Sequence, residues 1–225
     1  ADPKVGGVGG TITAHQHSGR TLVELFSDEH SPLNNFVNGE AFFLPDIYTA
    51  NASYRRSLIN QVQGFNPRLF TGEDVDLAWR IQLATKCQLK FAERAIINHH
   101  HRATPRGLAR QYWQYGFGEV LLDTMYRKHE GYSRTRARQL RRIAGQALAL
   151  PRYIASMAKR QVRFAVRRET AYGRMTPYLC FLVEFNNIMG KLEAIKSTRL
   201  MTTAEPVLRM QPDVLVRRLF QETKL

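Results

Sequence analysis

Positive charge in this chain is concentrated in one stretch. Residues 101–175 hold seventeen Lys and Arg against four Asp and Glu, whereas residues 1–100 hold nine against ten. A local excess of this size suits a polyanion: nucleic acid, an anionic membrane surface or a phosphorylated ligand. It also divides the chain into a near-neutral part and a basic part. The 225 residues are enough for one large domain or two small ones, with a sizeable core. Hydrophobic residues at 44% and charged residues at 23% exclude a disordered chain. Cys87 and Cys180 lie far apart, which excludes a disulfide framework or a cysteine-only zinc site and fits a reducing compartment.

Hydrophobic periodicity and punctuation predict the elements. Residues 5–14 are glycine-rich and then alternate, which reads as a loop feeding a strand; no Gly-Lys-Ser/Thr follows, so they are not a P-loop. A short helix is expected over 20–30, a loop over 31–39, a strand over 40–50 and a helix from Ser53 to Val62. Gly64-Phe65-Asn66-Pro67 is a turn. Apolar positions 75, 78, 79 and 83 share one face of a helix whose first turn is acidic, so Trp79 belongs to a core. Two short strands follow at 88–92 and 95–99, then a helix from Pro105 to about Tyr126 that puts Trp113 in the core. Residues 134–168 read as two helices broken near Pro151, with further helices at 178–196 and 206–221. No segment reaches the roughly 20 apolar residues that cross a bilayer.

Two clusters have chemistry. In Gly72-Glu73-Asp74-Val75-Asp76, three carboxylates fall in four positions at a helix start. They offset the helix dipole, and Asp76 and Arg80 are spaced as an i, i+4 ion pair. The same spacing offers a general base on a rigid mount. In His99-His100-His101, the outer two side chains share one face of a strand, either as ligands for a divalent metal or as a packed strand end.

The order of these pieces resembles glycosyltransferase family 2. The stretch Asn51-Ala52-Ser53-Tyr54-Arg55-Arg56 is followed by Gly64-Phe65-Asn66, by Gly72-Glu73-Asp74-Val75-Asp76-Leu77 and by Arg80. Downstream come His99-x-His101-Arg102 and Gln111-Tyr112-Trp113-Gln114-Tyr115-Gly116, so the resemblance covers about residues 2–122. It implies an α/β chain: the C-terminal, acceptor half of a GT-A (Rossmann-like) glycosyltransferase domain at 1–128. A basic, mostly helical region at 129–225 would follow. It implies Asp74 as the catalytic base of an inverting transfer from a nucleotide-sugar to a sugar or lipid-linked acceptor. Glu73, Asp76, Arg80, Asn51 and Arg102 would contact substrates, and His99 or His101 would hold Mn²⁺ or Mg²⁺. Arg106 and Arg110 could face a diphosphate with Arg102.

The opening Ala1-Asp2-Pro3 has neither Met nor a signal region, and no Asp-x-Asp segment precedes it. The expectation is therefore a C-terminal portion lacking about a hundred residues of a usual domain, and binding donor poorly. The Gln-x-x-Arg-Trp motif of processive relatives is not matched at Gln111 to Tyr115. The basic clusters flanking the apolar stretch 143–158 suggest a peripheral site on the inner face of the cell membrane, in the cytoplasm. The alternative is a non-catalytic basic module docking such a surface or nucleic acid. Zinc-finger spacing, an RNA-binding aromatic motif and a clear helix-turn-helix are all lacking, which disfavours nucleic acid.

Overall fold

A computed structural model describes residues 2–30, Leu33 and 43–201. The strand β1 (Val5–Ala14) is the centre of a three-stranded sheet. Its glycines are there for proximity: a Cβ on Gly10 would run into the Ala95 carbonyl and the Asn51 amide. The helix α1 (Leu22–His30) opens on a capping box. The Glu24 amide donates to the Thr21 hydroxyl at 3.2 Å, and the Thr21 amide donates to the Glu24 carboxylate at 2.8 Å.

Residues 43–48 form no strand, contrary to expectation, and a 3-10 turn (Thr49–Asn51) follows. The expected residues 40–42 and the helix at 206–221 lie outside the described residues, as does most of the 31–39 loop. Ser53 does not start a helix. It lies in β2 (Ala52–Tyr54), which pairs antiparallel with β1 through Val8, and α2 (Arg56–Gln61) begins after it. Three extended residues suffice to flank the sheet, and this pairing outweighs the capping preference of Ser53.

The helix α3 (Glu73–Thr85) forms as expected; of the predicted face Ala78 and Trp79 are buried and Val75 and Leu83 partly buried, and Leu77 and Ile81 are buried besides. The two expected strands at 88–99 are one, β3 (Gln88–His99), parallel to β1. Its register jumps from Gly10↔Ala92 to Thr11↔Ile96. A bulge thus absorbs the polar Glu93 and Arg94, which by alternation alone look like a break.

Thr104 caps α4 (Pro105–Tyr126), accepting from the Gly107 amide at 3.1 Å. The basic block does not break at Pro151: α5 (Arg136–Ala165) is continuous. Pro151 and Ala147 are both exposed, so the Ala147 carbonyl that Pro151 leaves without a donor is free to bond water. In α6 (Ala171–Met201), Pro177 likewise frees the carbonyl of Gly173, and Arg160 of α5 donates to it at 2.9 Å.

The helix α6 packs against both α4 and α5. Trp113, Phe117 and Val120 of α4 meet Ala194 of α6, and Val23 and Phe26 of α1 pack with Leu108, Leu179 and Val183. A Cβ on Gly116 would run into the Asn187 carbonyl, and one on Gly190 into that of Trp113. The α4–α6 crossing is therefore close. On the other side, Trp79 joins Leu69, Leu122 and Tyr126 between α3 and α4.

Candidate active site

The acidic helix start is set by Gly72, whose φ of 75° is left-handed backbone that glycine adopts without penalty. From this turn Asp74 reaches back over its own helix. Its Oδ1 accepts the Val75 amide at 2.9 Å and its Oδ2 the Thr49 amide at 3.4 Å. The carboxylate is held in place by two backbone donors while facing a cleft.

That cleft has two lobes. One, of about 470 Å³, is lined by Asp46, Tyr48, Phe70, Glu73, Asp74 and Tyr115, with Arg102, Gln111, Gln114 and Glu119 around it. The other, of about 210 Å³, shares Leu33, Tyr48, Asp74, Arg102, Gln111 and Tyr115 with it and extends to Thr49, His99 and His100. Asp74 lies where the lobes meet.

Burial raises the Asp74 carboxyl above its ordinary range, although its two amide partners pull the other way. Glu73 is raised by burial and by the neighbouring Asp74 charge. Asp46 is pushed up to about 6 by burial and by Asp74. A cleft with several desolvated acids and few fixed partners is the setting in which a carboxylate can hold and release a proton near neutral pH.

The residues singled out in the sequence separate into groups. Glu73, Asp74, Arg102 and His99 line the cleft. Asp76 and Arg80 lie off it: Arg80 Nε donates to Asp76 at 2.7 Å, and its other nitrogens donate to the carbonyls of Val62 and Gly64, each at 2.7 Å. They pin the turn before α3 to that helix. The Asn51 amide donates to the carbonyls of Thr11 and Ala95, at 2.9 and 2.7 Å, where the β1–β3 bulge opens. Trp79 and Trp113 are buried.

His99 and His101 meet edge to face, with ring centroids 5.3 Å apart, but their other neighbours differ. The Nδ1 of His99 is buried and has no hydrogen-bond partner, and burial, then Arg102, lower its pKa, keeping the ring neutral. His101 feels the charges of Asp28, Arg20 and Glu24 and lines neither lobe. Among the described residues no three His, Cys, Asp or Glu gather as a ligand cluster.

The sequence does not single out Asp46 or Tyr48, and Tyr115 stands out in it only within the Gln111-to-Gly116 stretch. Gln111, Gln114 and Tyr115 do have a signal, being at i, i+3 and i+4 on α4, and the Gln111 amide donates to the Tyr115 hydroxyl at 2.6 Å. Asp46 has none, because a lone acid in irregular chain shows no periodicity.

The cleft thus places a desolvated acid at a helix start between aromatic and amide side chains. The profile of the Glycosyl transferase family group 2 matches residues 1–185, and the chain belongs to that family. A search of curated proteins found no match. The extent of the family match overturns two expectations. Membership is not confined to about 2–122, and a match over residues 1–185 does not support reading the chain as an acceptor half alone. The family's α/β fold spans nearly the whole chain, α5 and much of α6 included, and is not merely half a domain followed by a separate appendage. The physical reason is visible in the packing. The basic helices bury Ile143, Leu179, Val183 and Ile188 as part of the same body as α4.

Proposed function

We propose that this protein is an inverting glycosyltransferase that moves a sugar from a nucleotide-sugar to an acceptor hydroxyl, with Asp74 as general base. The observation that carries the reading is the position of Asp74, oriented by two backbone amides at the junction of both lobes. Ionised Asp74 takes the acceptor's hydroxyl proton as the oxygen attacks the anomeric carbon. The bond from that carbon to the diphosphate breaks, and the nucleoside diphosphate leaves with the electron pair. Attack from the face opposite the leaving group inverts the configuration. Arg102, at the rim of both lobes, offsets charge on the departing diphosphate. Tyr48, Tyr115, Gln111 and Gln114 offer stacking faces and hydrogen bonds to a sugar or lipid-linked acceptor. His99 is the described side chain fitted to hold Mn²⁺ or Mg²⁺, which when bound would add neutralisation of the diphosphate. Glu73 shapes the field around Asp74, and Asp76, Arg80 and Asn51 act through position.

The test is release of nucleoside diphosphate from a panel of uridine and guanosine diphosphate-sugars, with Mn²⁺ and with chelator, for the wild type and Asp74→Asn. Turnover by the wild type and its loss in a variant of unchanged Tm is expected. A folded variant with normal turnover would refute the base assignment.

A further inference from the structure

The helix α5 has two apolar sides, and only one is used. Gln139, Ile143, Gln146, Leu150, Tyr153, Met157 and Phe164 are buried or half-buried along α6. A second stripe runs through Leu140, Ala144, Leu148, Pro151, Ala155, Ala158 and Val162, at the spacing of helical turns, and every member is exposed. Leu148 is 78% exposed and Val162 66%. Ile154 borders the stripe and is also exposed.

A row of cations accompanies it. Arg141, Arg152, Lys159 and Arg163 each follow a stripe member by one residue, so the row lies about 100° further round the helix. Arg141, Arg152 and Lys159 meet no carboxylate within ion-pair distance among the described residues. Part of the positive charge is spent inside the fold. Arg134, Arg142 and Lys191 converge on Glu119, and Arg160 and Arg163 on Glu169. Arg141, Arg152 and Lys159 are therefore among the charges that the described carboxylates leave to an outside partner.

We propose that this side of α5 lies on an anionic lipid surface, its aliphatic stripe in the interface and its cationic row among the head groups. The stripe spans about 33 Å at 1.5 Å per residue, a straight line suited to a plane. No helix among the described residues is long and apolar enough to cross a bilayer, so the attachment is to one leaflet. A second copy of the chain seated on the stripe would bring two cationic rows together, which is repulsive. Nucleic acid would answer the row and leave the stripe in water. A bilayer answers both. This inference does not depend on the transfer reaction proposed above.

The test is flotation of the full chain with vesicles of phosphatidylcholine alone and of phosphatidylcholine with phosphatidylglycerol. Two variants accompany it, Leu148→Glu/Val162→Glu and Arg141→Glu/Arg152→Glu/Lys159→Glu. The expected result is binding to the anionic vesicles only, weakened about tenfold or more in each variant at unchanged Tm. Four results would overturn the proposal. They are no binding at low salt, binding indifferent to the apolar variant, a solution dimer abolished by Leu148→Glu, or a marked fall in Tm in that variant. The last would mean that the chain itself covers the stripe.

Discussion

The Tyr126 hydroxyl donates to Oδ1 of Asp76 at 2.7 Å, tying α4 to a carboxylate that has no solvent exposure. The other oxygen is taken by Arg80, which also holds two carbonyls of the turn before α3. A fully buried charge must be satisfied on both oxygens. Tyr126→Phe should therefore cost about 1–3 kcal/mol, read as a lower urea midpoint with an unchanged slope. Turnover of the folded fraction should change little.

Asp74→Asn should reduce transfer by about 10²–10⁴-fold, the usual loss when a general base is removed. The fold should survive, because the amide oxygen still accepts from Val75. Burial holds the Asp74 carboxyl above its ordinary range. The proposed reaction needs it ionised, so the rate should fall as pH drops through a value higher than an exposed carboxylate would give. A pH profile of kcat/KM checks this.

Asp46 makes a prediction about stability. Its carboxyl lies at about 6 in the folded chain against an ordinary 3.8. The folded state thus holds a proton that the unfolded state has lost, and stability falls as pH rises from about 4 to 6. Above that window the cost is constant, up to about 3 kcal/mol. Asp46→Asn should match the wild type in Tm near pH 4 and exceed it by several degrees near neutrality. Equal Tm values at both would remove Asp46 from the account.

Glu119 is the acceptor for Arg134 at 2.9 Å, Arg142 at 2.6 Å and Lys191 at 3.1 Å. Lys191 is only 1% exposed, and burial lowers its pKa. Glu119→Gln leaves that ammonium without its counter-charge and should destabilise by about 3 kcal/mol. The double variant Glu119→Gln/Lys191→Met should recover part of the loss, which a double-mutant cycle measures.

The helices α3 and α4 are legible in the sequence because their signals are local: acids and a glycine before one, Thr104 and Pro105 before the other. The errors arise where a distant partner decides. Pro151 suggests a break, but the carbonyl it frees lies on an exposed turn. Glu93 and Arg94 suggest a gap between strands, but the bulge against Gly10 carries the strand through. Of the site, Glu73 and Asp74 are visible in their motif, whereas Asp46 reaches the cleft through irregular chain. His99 and His101 are equivalent by alternation; only the surroundings brought by α1 distinguish them. The attachment of α6 to α4 is invisible to local pattern for the same reason, since its contacts are long-range.

The parallel pairing of β1 with β3 joins Val5 to Gln88 and Ala14 to His99. During synthesis at roughly 5–20 residues per second, β1 waits several seconds for that partner to emerge. An unpaired strand rich in valine and isoleucine would be a hazard during such a delay. Gly6, Gly7, Gly9 and Gly10 make β1 a poor template for premature pairing. The same absence of side chains that lets β3 approach so closely therefore also keeps the waiting strand inert on the ribosome.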